Sequence, residues 1–153
     1  QRWSIDATFP PLTRTDFAPV WAFAQKQKGQ FGTFTFVPPI YSNTSGTATG
    51  TLLVNNTAGY IAGTTTITVD GLTGTLKAGD FIKFAGHDKV YTIVADATTS
   101  LIIEPVLQSP VVNNEVVTYN AVPFTVAFTT DTQNMSVGIG GFVNYSMKLI
   151  EVV

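Results

Sequence analysis

The sequence predicts a mainly β protein: an antiparallel β-sandwich with one amphipathic helix and an inserted small β-barrel-like module. Three observations predict this fold class. Most of the chain alternates apolar and polar residues at period two, which is typical of strands with one buried face. Only residues 16–28 have the apolar spacing of a helix. From about residue 51 to 119, turn residues recur every eight to twelve positions between short β-branched segments, as in a small barrel or sandwich.

The 153 residues are enough for one domain that carries a small insertion. We predict an outer β-sandwich domain with the helix, formed by residues 1–50 and 120–153, and an inserted small β-module at residues 51–119. Residues 42–50 are small and polar, and we interpret them as a loop or linker. The alternative is a single sandwich with one long excursion.

The predicted helix at about residues 16–28 has one apolar stripe, formed by Phe17, Val20, Trp21 and Ala24. We expect Thr15 or Asp16 to cap its N-terminus, and Gly29 to end it in the left-handed conformation. Pro19 is tolerated in a first turn, where its missing N–H has no intrahelical partner. A single helix of this kind is expected to cover one open face of a sheet.

The outer strands are predicted at residues 31–36, 122–129 and 142–152. Pro38 and Pro39 end the first of them, because proline has no backbone donor and a fixed φ. The last strand alternates cleanly and is one half of a hairpin closed near residues 138–141.

Within the module, residues 64–69 predict a strand that stops at the turn signal Asp70-Gly71. Residues 81–84 and 89–94 flank a predicted hairpin turn at 85–88. Two further strands are predicted at residues 100–104 and 115–119.

Charge is scarce in this chain. Eight Lys and Arg against ten Asp and Glu give a net charge of −2, and charged residues make up 12% of the chain, against about 25% in ordinary soluble domains. This balance argues against sequence-specific or broad electrostatic binding of nucleic acid. A weakly charged surface is poor at keeping proteins apart, which favours a protein built to sit beside neighbours.

Several kinds of site are excluded or disfavoured by composition. Cysteine is absent, so neither a disulfide nor a thiolate nucleophile or metal ligand is available. No apolar run approaches the roughly 18 residues of a membrane helix, so no membrane span is predicted.

His87 is the only histidine and lies between two predicted strands. As a general base it would need Asp80 or Asp88 as its partner, and spacing offers no further metal ligands. A solvated turn histidine is the favoured interpretation.

Five carboxylates of the module could in principle supply a glycosidase pair: Asp70, Asp80, Asp88, Asp96 and Glu104. The four aspartates adjoin turns, where aspartate bonds backbone amides two residues on, so a structural role is favoured. Residues 138–141 lack the remaining signature of a phosphate loop and predict a turn. We therefore predict no catalytic, cofactor-binding or metal-ligating residue and no cofactor, and we expect the protein not to be an enzyme.

Aromatic residues concentrate in the two outer segments: Trp3, Phe9, Trp21, Phe31, Phe34, Phe36, Phe124, Phe128, Phe142 and Tyr145. We interpret them as a core between sheet and helix, with part of the cluster buried between subunits. The alternative is an aromatic platform for sugars or single-stranded nucleic acid, but such platforms are usually flanked by cations, which are sparse in this sequence.

Two stretches resemble virion proteins of tailed bacteriophages. Residues 2–5 (RWSI), followed by residues 9–12 (FPPL), the helix and residues 28–38 (KGQFGTFTFVP), are similar to the opening of distal tail or tail-hub (baseplate) proteins. Residues 63–71 (GTTTITVDG), 76–82 (LKAGDFI), 90–94 (VYTIV) and 103–107 (IEPVL) are similar to small β-modules inserted in phage tail and capsid proteins.

The resemblance implies a structural protein of the phage tail, located in the virion. It implies a homo-oligomeric ring at the distal tail, hub or tail tip around the DNA channel, with neighbouring tail-tube and tail-tip proteins as further partners. It brings no catalytic motif. The alternative function is a surface-displayed carbohydrate- or receptor-binding β-module.

Overall fold

The computed structural model describes all 153 residues and contains one α-helix and eleven strands. In chain order the elements are β1 (Ser4–Thr8), α1 (Arg14–Lys26), β2 (Thr33–Phe36), β3 (Thr49–Val54), β4 (Thr66–Thr73), β5 (Phe81–Phe84), β6 (Val90–Ile93), β7 (Ser100–Glu104), β8 (Val116–Thr118), β9 (Phe124–Phe128), β10 (Met135–Val137) and β11 (Val143–Glu151). Single 3-10 turns lie at Gly29–Phe31 and Ile139–Gly141. The predicted fold class, mainly β and antiparallel with one helix and a barrel-like module, is confirmed.

The chain divides into two compact units. The outer unit consists of Gln1–Thr35 and Thr125–Val152, and the barrel unit of Phe36–Phe124 with Val153. The barrel unit is thus larger than the module predicted at residues 51–119.

Backbone pairing ties the segment before β3 to the barrel unit. The Thr47 amide donates to the Thr75 carbonyl at 3.0 Å, and the Val122 amide donates to the Ser42 carbonyl at 3.0 Å. The side-chain oxygen of Asn43 accepts from the Ala121 amide at 2.9 Å. Of residues 42–50, interpreted above as a loop or linker, residues 42–48 are therefore a loop fixed to one unit, and residues 49 and 50 begin β3.

The barrel unit is a closed antiparallel barrel of six strands in the order β3-β4-β7-β6-β5-β8. The ring closes because β8 pairs with both β5 and β3. The predicted hairpin is confirmed: Phe81 lies opposite Thr92, and Lys83 lies opposite Val90. The barrel interior is filled by large side chains that are entirely buried, among them Leu52, Ile67, Phe84, Tyr91, Leu101 and Ile103.

The turn predicted at Asp70-Gly71 is wrong, because β4 continues through this pair to Thr73. Gly71 has a φ of +77° and lies against the Thr51 carbonyl, where a Cβ would clash. Gly50 on β3 has a φ of +98°, and the register shifts beside it. The two glycines therefore form a bulge that bends a continuous strand pair.

The outer unit has one antiparallel sheet in the order β1-β11-β9-β2, with β10 also paired to β11. Its residues alternate as predicted along β11: Val143, Tyr145, Met147 and Leu149 are buried, and the residues between them are not. The predicted strand partner near residues 138–141 is β10, which pairs antiparallel with Val143–Tyr145 of β11.

Helix α1 forms the layer that covers this sheet. Phe17 packs edge-on against Tyr145 of β11 at a ring distance of 5.6 Å, and Phe23 packs edge-on against Phe34 of β2 at 5.0 Å. Trp21 also meets Tyr145 edge-on, at 6.0 Å. The outer unit therefore consists of two layers, one sheet and one helix.

The helix begins two residues earlier than predicted. Thr13 is its cap, and not Thr15 or Asp16 as predicted, since its hydroxyl oxygen accepts from the Asp16 amide at 3.3 Å. Pro19 consequently lies beyond the first turn, where it removes one helical hydrogen bond. The helix also ends earlier than predicted, at Lys26, with Gln27 as its cap in a right-handed conformation. Gly29 has the expected positive φ of +66°, but it begins the following 3-10 turn and does not end the helix.

Candidate interaction surface

The hairpin of β10 and the start of β11 presents apolar side chains to solvent. All three residues of β10 are exposed, and Val137 retains 64% of its accessible surface. Ile139, at the tip, is fully exposed, and Phe142 is 47% exposed. No charged residue occurs between Asp131 and Lys148. This neutral, apolar projection is the strongest candidate for a contact surface in the outer unit.

The outer side of β10 also offers unpaired backbone groups. On β11, the Val143 amide donates to the Leu12 carbonyl at 2.8 Å, and the Val143 carbonyl accepts from the Leu12 amide at 2.9 Å. Both groups of Val143 therefore point away from β10, which makes Val143 and Val137 a non-hydrogen-bonded pair. Hydrogen-bonded and non-hydrogen-bonded pairs alternate along antiparallel strands, so Tyr145 and Met135 also form a non-hydrogen-bonded pair. Val137 and Met135 thus direct their N–H and C=O groups outward.

An apolar groove of 490 Å³ lies between α1 and this hairpin. Phe17 and Trp21 line it from the helix, and Met135 and Val137 line it from the strand. Arg14 is the one charged residue among those that line the groove. An edge strand beside an apolar groove is the arrangement that binds an extended segment by strand addition in other proteins. We call β10, the tip at Ile139–Gly141 and Phe142 the edge hairpin.

His87 lies at the predicted turn, but it is buried rather than solvated. Its Nε2 is 3.2 Å from the Pro110 carbonyl, which only accepts, so Nε2 carries the proton. Its Nδ1 lies 3.1 Å from the Tyr91 hydroxyl, and the Tyr91 oxygen accepts from the Gln108 amide at 3.0 Å. This chain of bonds joins the β5–β6 hairpin to the segment that follows β7.

Asp80 is the most heavily bonded carboxylate described. It accepts from the Ser45 amide and hydroxyl, each at 2.8 Å, from the Lys77 amide at 2.8 Å and from the Thr44 hydroxyl. Burial acts to raise the pKa of Asp80, but the hydrogen bonds from Thr44, Ser45 and Lys77 outweigh it, so the pKa lies below its ordinary value of 3.8. The charge of Asp80 holds the 42–50 loop against the barrel.

The other carboxylates are spread over the barrel unit. Asp96 forms an exposed ion pair with Lys77 at 2.6 Å, and the hydrogen bond from Lys77 lowers the pKa of Asp96. Asp88 lies 3.4 Å from Lys83, and Asp70 and Glu104 are exposed on strands. No group of three or more His, Asp or Glu side chains is arranged to hold a metal ion.

The predicted aromatic core is found in part. Phe9, Trp21, Phe34, Phe128 and Tyr145 contact other rings within the outer unit. Phe31 is 87% exposed and Phe142 lies on the edge hairpin, so neither belongs to the core to which it was predicted to belong. Phe124 packs instead against Phe81 in the barrel unit, with ring centroids 5.3 Å apart.

Sequence reasoning treated residues 138–141 as a turn and missed the surface beside it. The available signal was a run of 16 uncharged residues, 132–147, that contains Met135, Val137 and Ile139. An exposed apolar edge without charge is what soluble proteins usually avoid.

No known protein family matches this chain, and no curated protein matches it. The one α-helix is too short and too polar to cross a bilayer.

Proposed function

We propose that this protein is a structural component of a bacteriophage tail that assembles with copies of itself into a ring at the distal tail or hub. The sequence resemblance described above supports the phage tail as its location. The edge hairpin supports assembly, and it is the single observation that carries the proposal.

Assembly would be driven by two terms. Covering the exposed side chains of the edge hairpin removes apolar surface from water, which stabilises a complex by roughly 25 cal/mol per Å². Pairing the free backbone groups of β10 with another strand replaces water as their partner. A specific interface covers about 800 Å² on each partner, so the groove beside α1 has to contribute as well.

The low charge of the chain fits this role. Subunits with a net charge of −2 repel each other little, so close packing of many copies is inexpensive in electrostatic energy. In the proposed ring, the outer units form the contacts between copies around the DNA channel. Tail-tube and tail-tip proteins are the further partners that this placement implies.

Negative-stain electron microscopy of the purified protein, with its mass measured by light scattering, tests the proposal. We expect annular particles with a mass that is a multiple of 16.4 kDa. A protein that remains a 16.4 kDa monomer at every concentration contradicts assembly. If that monomer is also retained on an immobilised-glycan column, the carbohydrate-binding alternative replaces the proposal.

A further inference from the structure

We infer that two copies of this chain pair through β10, antiparallel and about a two-fold axis at Ser136. The inference rests on the proposed function, since it names one contact through which copies associate. A two-fold contact closes at a dimer, so a ring built from such dimers uses a second contact elsewhere on the chain. It does not depend on the phage-tail location.

The free edges of the outer sheet differ in how they are protected. The Glu151 amide donates to the Trp3 carbonyl at 2.8 Å, so odd-numbered residues of β1 face β11 and the backbone groups of Asp6 face outward. Asp6 puts a charge on that edge, with Lys148 opposite it in the pair. Charges of this kind discourage another strand from pairing.

The edges at β2 and β10 differ from the β1 edge in the residues that could prevent pairing with another strand. The edge at β2 ends at Phe36 and is followed, after Val37, by Pro38 and Pro39, which cannot donate to an added strand. The edge at β10 has neither a charge nor a proline. Of the three edges, β10 is the one left open to a partner strand.

The exposed pattern of β10 is complementary to itself. With two copies antiparallel about Ser136, Met135 of one copy lies opposite Val137 of the other, and the reverse pair is equivalent. These residues have the outward N–H and C=O groups, so each pair exchanges two hydrogen bonds and the contact contains four. The side chains that meet are apolar, and the nearest charged residues of the chain are Asp131 and Lys148.

The side chains on this edge extend the contact. Met135 and Val137 line the apolar groove, so the two-fold axis brings the grooves of both copies to the same interface. Ile139 is fully exposed beyond the strand, and it adds apolar area that four backbone bonds alone do not provide. The occupant that satisfies the backbone groups and the apolar side chains together is a second copy of the edge hairpin.

A single engineered cysteine tests the register, because the natural chain has none. In the proposed pairing Ser136 faces its own counterpart as a non-hydrogen-bonded pair, with Cα atoms about 4.5 Å apart. That separation suits a disulfide. Ser136→Cys should therefore form a covalent dimer under mild oxidation. We expect its yield to be more than ten times that of a control variant.

The matched control is Asn144→Cys. Asn144 is exposed and lies opposite Ser136 in the same hairpin, but its counterpart in a second copy would be three strand spacings away, about 14 Å. Equal cross-linking of the two variants overturns the proposed axis.

Association without cross-linking is measured by light scattering over a concentration series. Val137→Pro removes an outward N–H without removing a bond inside the chain, and Met135→Lys adds a charge beside the axis while keeping the backbone. Both should weaken association at least tenfold. Thr8→Pro, which alters the outward edge of β1, should leave it unchanged, with folding of each variant checked by circular dichroism.

The outcomes separate the two proposals. If the wild-type chain never associates, the proposed function fails together with this inference. If it associates, and Val137→Pro and Met135→Lys associate equally well, assembly stands and pairing through β10 is overturned.

Discussion

The barrel unit and the outer unit differ in how they treat the edges of their sheets and their apolar side chains. Each strand of the barrel pairs on both sides, so that unit has no open edge, and its large apolar residues are enclosed. The outer sheet is open, and its hairpin keeps apolar side chains and unpaired backbone groups at the surface. The same kind of side chain thus stabilises the fold in one unit and is available for association in the other.

The largest expected effect comes from opening the barrel core. Phe84 is completely buried and its ring lies 5.5 Å from that of Tyr91. Phe84→Ala should lower the free energy of unfolding by about 3–5 kcal/mol, through lost burial and the cavity left behind. Chemical denaturation measures this loss, and a loss below about 1 kcal/mol would show that the barrel core is not the source of stability.

A smaller loss is expected at the carboxylate that fixes the loop. Asp80→Ala leaves the amides of Ser45 and Lys77 and the Thr44 hydroxyl without their acceptor. We expect a loss of about 2–3 kcal/mol in unfolding free energy. An unchanged denaturation midpoint would contradict this role of Asp80.

The same residue gives a pH dependence with a definite sign. Because the pKa of Asp80 is lowered in the folded protein, its stabilisation is complete above the ordinary value of 3.8 and is lost as the pH falls through the lowered pKa. The stability gap between the wild-type protein and Asp80→Asn should therefore narrow below pH 3.8. Thermal unfolding from pH 6 to about pH 2 measures the gap, and a gap that widens on acidification would be inconsistent with this cause.

Tyr91→Phe tests the buried bridge to His87. It removes the hydroxyl that is hydrogen-bonded to His87 and that accepts from the Gln108 amide, and it keeps the ring in the barrel core. We expect a loss of about 1–2 kcal/mol in the free energy of unfolding. An unchanged free energy of unfolding would show that packing of the retained ring, and not the hydroxyl, accounts for the stabilisation by Tyr91.

The smallest effect on folding is expected at the tip of the edge hairpin. Ile139→Ser removes an apolar side chain that touches solvent, so the unfolding free energy should change by no more than about 0.5 kcal/mol. Association of copies should nevertheless weaken in light scattering. A large loss of unfolding free energy with unchanged association would show that Ile139 stabilises the fold and does not contribute to association.

Local patterns predicted much of the fold. The alternation along β11 and the β5–β6 hairpin follow from period two and a short turn, so neighbouring residues were enough to find them. The bulge at Gly50 and Gly71 was missed, because it depends on a partner strand about 20 residues away. The burial of His87 was missed for a similar reason: its cover comes from Pro110 and its neighbours, beyond β7.

The candidate surface was harder to predict than the fold. An apolar residue in a strand pattern is normally assigned to the core, and Phe142 was assigned in this way. Periodicity does not distinguish a face that is buried within the chain from one that is left for another chain. The distinction comes from the backbone pair of Val143 with Leu12, which shows that the N–H and C=O groups of Val137 face outward.

Residue-resolved amide hydrogen exchange at low and high protein concentration tests the contrast between the two units most directly. We predict that the amides of Met135 and Val137 become protected as the concentration rises, while those of the barrel strands keep the same rates. Unchanged exchange at Met135 and Val137, with new protection on a barrel strand, would show that copies associate through the barrel unit. That result would contradict the claim that the outer unit provides the contact.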